Sequence, residues 1–280
     1  MKENTIDSQS GGWVIRLLEK APFLSDLVRS HGWHYVISWC HRISGVGIVV
    51  YLLFQIYALS TLRIPYFYNG MKLLSIPIAV LLVWLSCLPV VFHALNGGRL
   101  ILYEFFGSRN DETMLRWTFS LTVLYAAVFG LLIFFKNDNV SPFLFWPLFL
   151  FWLLFILAAL LMASIAGAKL WRSRHALYWK LQRITGVFLL VAIPAYLIFP
   201  DLNPGIAHEV QTLTPRMQNA FIKIVDILLV FSALYHGGYG MFSIGADYIR
   251  KRSLRRLYAA AVAVLFAVFL FIALRLIISA

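Results

Sequence analysis

The sequence predicts an all-α membrane protein of about seven transmembrane helices, arranged as two parallel three-helix repeats joined by an extra linker span. Three observations carry this reading. Apolar residues make up 61% of the 280-residue chain and charged residues 13%, against about 45–50% and about 25% in an average soluble chain. A soluble domain of this size has too little interior to hide that much apolar surface, so an ordinary soluble enzyme is excluded. Seven long apolar stretches are separated by loops whose basic residues alternate in density, and two short motifs recur in the same order at nearly constant offset.

The first 35 residues form a polar, mixed N-terminal segment. They hold no short apolar core followed by a small-residue cleavage site, so a removable signal peptide is not expected. Within them, Trp13 to Val28 mixes Trp, Leu and Phe with Arg16, Glu19, Lys20 and Asp26, which suits an interfacial amphipathic segment interrupted at Pro22. A membrane helix needs about 20 mostly apolar residues. Candidate spans run over 36–62, 72–104, 115–135, 142–168, 178–199, 217–248 and 255–279. The second and sixth exceed what the hydrocarbon requires and should tilt or protrude.

Lysine and arginine set the expected orientation. Arg16, Lys20 and Arg29 precede span 1; Arg99, Arg109 and Arg116 flank the turn from span 2 to span 3. Lys169, Arg172, Arg174 and Lys180 lie between spans 4 and 5, and Arg250, Lys251, Arg252, Arg255 and Arg256 between spans 6 and 7. The alternate loops carry only Arg63 and Lys72, then Lys136, then Arg216. The positive-inside rule puts the N-terminus in the cytoplasm and the C-terminus outside. The net charge of +12 is therefore a topology signal first, and a docking or acidic-lipid signal second. Cys40 and Cys87 form no CxxC, which leaves no cysteine set for zinc, an iron–sulfur cluster or covalently attached haem.

The two halves resemble each other. His41-Arg42-Ile43-Ser44-Gly45-Val46 opens span 1, and Gln182-Arg183-Ile184-Thr185-Gly186-Val187 opens span 5, 141 residues later. His93-Ala94-Leu95-Asn96-Gly97 in span 2 is matched by His236-Gly237-Gly238-Tyr239-Gly240 in span 6, 143 residues later. The expected organisation is a first three-helix unit over 36–135, a linker with an extra span over 136–177, and a second unit over 178–280. Three spans are an odd number, so fusing two parallel copies requires one more crossing. Span 4, with no charge from Ser141 to Ala168, fits that need.

A lone intramembrane histidine is ordinarily a helix–helix hydrogen bond. His93 and His236 have more in common: they occupy matched helices, run at similar depth, and each has a glycine one turn on, Gly97 and Gly240. Two imidazoles on facing helices with open backbone beside them suit bis-histidine ligation of one b-type haem, with packing histidines as the alternative. Arg42 and Arg183 sit at corresponding positions near the cytoplasmic face, with His41 beside Arg42; they suit haem propionates, or snorkelling to lipid phosphates. Ser38, His41 and Arg42 share a helix face. Asp247 lies eleven residues after His236 and Glu104 eleven after His93, close to three turns, so each shares its histidine's face about 16 Å nearer the cytoplasm. With Tyr248, this rim offers the donors and the proton route that a quinone requires.

These residues resemble the membrane-anchor cytochrome b of the succinate dehydrogenase/fumarate reductase (complex II) family, as a fusion of its larger and smaller anchor subunits. Ser38 to Val46 resembles the first-helix signature of the larger anchor, and His93-x3-Gly97-x-Arg99 with Glu104 its haem-ligand helix, where the acid is commonly Asp. His236-x3-Gly240 followed by Asp247-Tyr248 resembles the haem-ligand helix of the smaller anchor, and Arg183-Ile184-Thr185 the opening of its first helix. The resemblance covers about 36–135 and 178–279; span 4 has no counterpart in the separate anchors.

The resemblance implies His93 and His236 as axial ligands of haem iron, and Ser38, Arg42, Asp247 and Tyr248 as a quinone site. It implies His41, Arg42 and Arg183 at the propionates, and Gly97 and Gly240 beside the macrocycle. It also implies a flavoprotein with FAD and an iron–sulfur subunit docked on the cytoplasmic face, neither encoded here. The expected location is the bacterial cytoplasmic membrane. Some single-chain relatives carry two haems, but the outer halves of spans 1 and 5 contain no histidine here, so one haem b is expected. His31, His34, His175 and His208 are expected to be solvated, and Asp226 has no assigned role. The expected activity is electron transfer between the iron–sulfur subunit and membrane quinone. The rivals are the same anchor in a quinol:fumarate reductase, a haem-free multi-span transporter, and a structural anchor without redox activity.

Overall fold

A computed structural model describes residues 30–61, 77–106, 111–134, 145–202 and 220–279, together with Lys20, Ser25 and Val28. The rest of the expected interfacial segment, the loop residues Arg63, Lys72, Arg109, Lys136, His208 and Arg216, and the side chain of Cys87 lie outside the described residues. Within them the chain is helical and holds no strand. The helices are α1 (Trp33–Thr61), α2 (Pro77–Phe106), α3 (Asp111–Phe134), α4 (Phe145–Trp171), α5 (Leu177–Leu202), α6 (Ala220–Tyr248) and α7 (Arg252–Ser279). Every expected span has its helix. Four of them hold, among the described residues, an apolar window long enough to cross a membrane: α1, α4, α6 and α7.

Helix is the only open-ended backbone a bilayer tolerates, because each N–H and C=O finds its partner within the segment. That constraint keeps α2 continuous through Pro89. Its length of 30 residues rises about 45 Å, which exceeds a hydrocarbon core of about 30 Å. The end that carries Lys169, Arg172, Arg174, Lys180 and the stretch Arg250–Arg256 is called here the basic end. There the Lys180 ammonium donates to the Trp171 and Ser173 carbonyls at 3.0 and 2.7 Å and caps the C-terminus of α4.

Helices α1, α2, α5 and α6 form a central ring, each packed on the next, with α6 returning to α1. The other three lie outside it. Helix α3 packs on α2, where Trp84 Nε1 donates to the Ala126 carbonyl at 2.8 Å. It also reaches the start of α1, where Leu115 joins Trp33, Val36 and Ile37. Helix α7 packs on α6 and α1: Phe266 and Ala273 meet Val49, Ile56 and Leu234. That crossing is close because Gly237 and Gly238 leave room for the Phe266 ring, and Gly245 for the Tyr258 ring.

The extra span α4 lies along α5. Its Ile156, Ala159 and Ala163 meet Phe188, Ala192 and Ala195 of α5 and Val225 and Leu229 of α6. Nearer the basic end, Ala166 joins Ile101 and Val187. Ala159, Ala166, Ala192 and Ala195 are fully buried. Between lipid-facing helices the hydrophobic effect drives little association, so small residues that admit close backbone contact supply the packing. The bundle's outer face is apolar, with Leu154, Leu161, Val264 and Phe271 all more than 60% exposed. Replacing Ala192 with Leu is expected to cost about 1–3 kcal/mol by overpacking, read as a lower melting temperature in detergent. Leu at Ser164, an exposed α4 position, should leave it unchanged.

Candidate functional site: a pair of imidazoles inside the ring

His93 of α2 and His236 of α6 come together inside the central ring, with ring centroids 6.3 Å apart and planes at 88°. Each is oriented by the backbone of the neighbouring helix. His93 Nδ1 lies 3.0 Å from the His41 carbonyl of α1, and His236 Nδ1 lies 3.0 Å from the Gln182 carbonyl of α5. A carbonyl can only accept, so Nδ1 carries the proton in both rings, and the neutral imidazole then presents Nε2 as a bare lone pair. Positions 41 and 182 are the ones that the repeated motifs align.

The same correspondence extends to the supporting atoms. The Ser44 hydroxyl donates to the His41 carbonyl at 3.0 Å, and the Thr185 hydroxyl to the Gln182 carbonyl at 3.0 Å. Ser44 Oγ also lies 3.3 Å from His93 Nδ1. A Cβ at Gly45 would stand 2.8 Å from His93 Cε1, and one at Gly186 3.0 Å from His236 Cε1. Glycine at these two positions is what lets each imidazole reach its carbonyl. Gly97 and Gly240, expected beside a macrocycle, face the side chains one helix over: an added Cβ would lie 3.6 Å from His41 Cε1 and 3.8 Å from Gln182 Nε2. The seats of the histidines are thus Gly45 and Gly186, which the sequence displays within its repeated motif but without a stated role.

The His41 ring stacks on His93 with centroids 3.9 Å apart and planes at 4°. Its Nδ1 is buried without a hydrogen-bond partner. The site therefore holds three imidazoles and one buried nitrogen still to be satisfied. Among the described residues no three His, Cys, Asp or Glu groups converge on a space for a bare metal ion.

Toward the basic end the arginines expected near carboxylates hold carboxylates of the protein itself. Arg42 Nη2 of α1 pairs with Asp247 Oδ2 of α6 at 2.8 Å, and Arg42 Nη1 donates to the Tyr248 hydroxyl at 3.2 Å. Arg183 of α5 makes a two-pronged pair with Glu104 of α2, Nε to Oε2 and Nη2 to Oε1, each 2.9 Å. The two pairs occupy corresponding positions, and each joins one unit to the other. Their surroundings differ. Trp39 lies 6.0 Å from the Tyr248 ring, and Ser38 is exposed one turn before Arg42. Arg183 instead lies over the Trp179 ring at 4.9 Å. Ser38, Arg42, Asp247 and Tyr248 thus line one rim, joined by Trp39, whose aromatic contact only the fold displays. His31 and His34, expected to be solvated, are exposed, as is His175. Asp226 is half-buried on α6.

The chain matches the family described as succinate dehydrogenase/fumarate reductase transmembrane subunit over residues 24–135 and 166–274, which leaves 136–165 between the matched segments. It is similar to the succinate dehydrogenase 2 membrane subunit SdhC of Mycobacterium tuberculosis (strain ATCC 25618 / H37Rv), 40% identical over 83 residues. That similarity covers 28% of this chain and 61% of the relative. No solved structure matches it significantly.

The glycine seats give a direct test. Gly45→Ala or Gly186→Ala is expected to destabilise by about 1–3 kcal/mol by forcing the imidazole off its carbonyl. Gly47→Ala, whose Cβ meets nothing within 4 Å, should be neutral or stabilise by about 0.5–1 kcal/mol through helix propensity. Thermal unfolding of the three variants in one detergent distinguishes them; equal melting shifts would remove the seat assignment.

Proposed function

Because the chain belongs to the transmembrane-subunit family of succinate dehydrogenase and fumarate reductase, we propose that it is the haem b-bearing membrane anchor of a succinate:quinone oxidoreductase. In this reading it passes electrons between an iron–sulfur subunit and membrane quinone. The observation that carries this is the pair of imidazoles with both Nδ1 atoms engaged by backbone carbonyls and both Nε2 atoms left for a ligand. The two ring centroids stand 6.3 Å apart, close enough that one group could engage both imidazoles. Carbonyl-oriented ligand histidines are the usual supporting arrangement of a metal centre. The buried, unpartnered His41 Nδ1 supplies a donor for a propionate. The residues therefore fit a haem.

A bound haem supplies a one-electron carrier within the bilayer. His93 and His236 would hold its iron, with the Nδ1–H···O=C bonds keeping their rings in register and raising their basicity. His41, Arg42 and Arg183 face the propionate side, where the arginines share their charge with Asp247 and Glu104. At the rim, the Tyr248 hydroxyl and the Arg42 guanidinium donate to a quinone carbonyl, and Ser38 lies one turn away. Asp247, with 51% of its side chain exposed, links that position to bulk water and delivers the proton. The flavoprotein with FAD and the iron–sulfur subunit dock over the basic end, which faces the cytoplasm in this reading. The same anchor serves a quinol:fumarate reductase if the soluble subunits and quinone potential run it in reverse.

A reduced-minus-oxidised spectrum of the purified chain, with haem quantified per polypeptide, tests this. One b-type haem per chain is expected. No b-type signal would sink the cytochrome reading, and two haems per chain would sink the single-site assignment. His93→Ala and His236→Ala should each abolish haem retention. Tyr248→Phe should slow quinone reduction about tenfold, the scale of one lost hydrogen bond, with haem content unchanged; normal turnover would remove Tyr248 from the site.

A further inference from the structure

Arg99 of α2 is a buried cation with no acidic partner among the described residues. It is 7% exposed. Its Nε and Nη1 are buried without hydrogen-bond partners, and no carboxylate pairs with it among the described residues. The guanidinium lies 5.4 Å from the centroid of the Tyr103 ring. The two other arginines at this depth, Arg42 and Arg183, each hold an acid. A charge buried in a membrane bundle is costly, and one kept without a counter-ion calls for a compensating role.

Its position indicates the role. Arg99 follows His93 by six residues on the same helix, a rise of about 9 Å. It follows Phe92 by seven, two turns, and so shares the flank on which the Phe92 ring meets Phe119 of α3. Its charge is also within electrostatic reach of the His41 ring that stacks on His93. In the second unit the corresponding position is Phe242, so the field is one-sided.

We propose that Arg99 is a fixed positive charge that raises the reduction potential of the haem held by His93 and His236, and so tunes which electron donors can fill it. The proposal rests on the haem reading. Reduction adds one electron, received from the iron–sulfur subunit, to the ferric iron. A nearby cation favours the reduced form in proportion to its proximity and to the dielectric between. A unit charge roughly 12 Å away, at an effective dielectric of about 20, shifts such an equilibrium about tenfold. For a one-electron couple that is about 59 mV. Arg99 acts through the field at the iron and is a positioning charge, not a ligand.

The test is a potentiometric titration of the haem spectrum in the intact, membrane-extracted complex. Arg99→Gln should lower the reduced-to-oxidised ratio at a fixed ambient potential about tenfold, with haem per chain unchanged. Arg99→Lys should restore the native midpoint. Asn96 is one turn away, 1% exposed, with its Oδ1 unpartnered. Asn96→Asp places a carboxylate there without changing shape and should lower the midpoint in the same direction. If Arg99→Gln fails to retain haem, Asn96→Asp decides. An unchanged midpoint in a haem-retaining Arg99→Gln, or in Asn96→Asp where the first variant is lost, overturns the proposal. Absence of any b-type spectrum in the native complex overturns the haem reading beneath it, and the two failures are distinguished in one experiment.

Discussion

The structure turns on one contact made twice: an imidazole Nδ1–H reaching across to the backbone carbonyl of the next helix. A helical carbonyl is normally occupied by its own ladder, yet it has two lone pairs and accepts a second donor where the neighbour comes close. Closeness is bought by glycine. With any larger residue at 45 or 186, the imidazole meets a Cβ before it meets the oxygen. The contact sets the distance between α1 and α2 and between α5 and α6, and it fixes the tautomer of both rings so that each Nε2 keeps a free lone pair. Helix packing and site chemistry are here consequences of the same few atoms.

A second constraint ties the halves to each other. Each arginine that opens a unit pairs with the acid that closes the ligand helix of the other unit: Arg42 with Asp247, Arg183 with Glu104. Such pairs at partial exposure contribute modestly to stability. Their value is geometric. They can form only if α1 lies beside α6 and α2 beside α5, so they select the ring order in which the two histidines face each other.

Much of this was legible in the sequence because it depends on periodicity and type. Seven apolar stretches predict seven helices, since the bilayer admits no other open backbone, and the spacing of His93 to Glu104 and His236 to Asp247 places each acid on its histidine's face. What could not be read depends on which atoms approach across helices. The glycines one turn beyond the histidines looked like the open space, but those in the facing helix, Gly45 and Gly186, make the close approach. Arg42 and Arg183 were legible as cations near carboxylates, but not as partners of Asp247 and Glu104, because pairing requires the ring order. Arg99 looked like one more charge at the end of a span; its burial with no acidic partner among the described residues sets it apart. The flank taken by α4 follows from small residues whose spacing is unremarkable in an alanine-rich span.

The two arginine–acid pairs differ in how tightly they are held. Arg183 grips Glu104 with two nitrogens and lies over Trp179, and both side chains are less than a third exposed. A pair so held is rigid and serves as a strut between α2 and α5. Arg42 holds Asp247 through one nitrogen and Tyr248 through another, and half of Asp247 is in reach of solvent. Its contacts are single and partly exposed, so this pair is held less tightly than the other. What sets the Arg42 rim apart is the Tyr248 hydroxyl on its second nitrogen and the greater exposure of its acid.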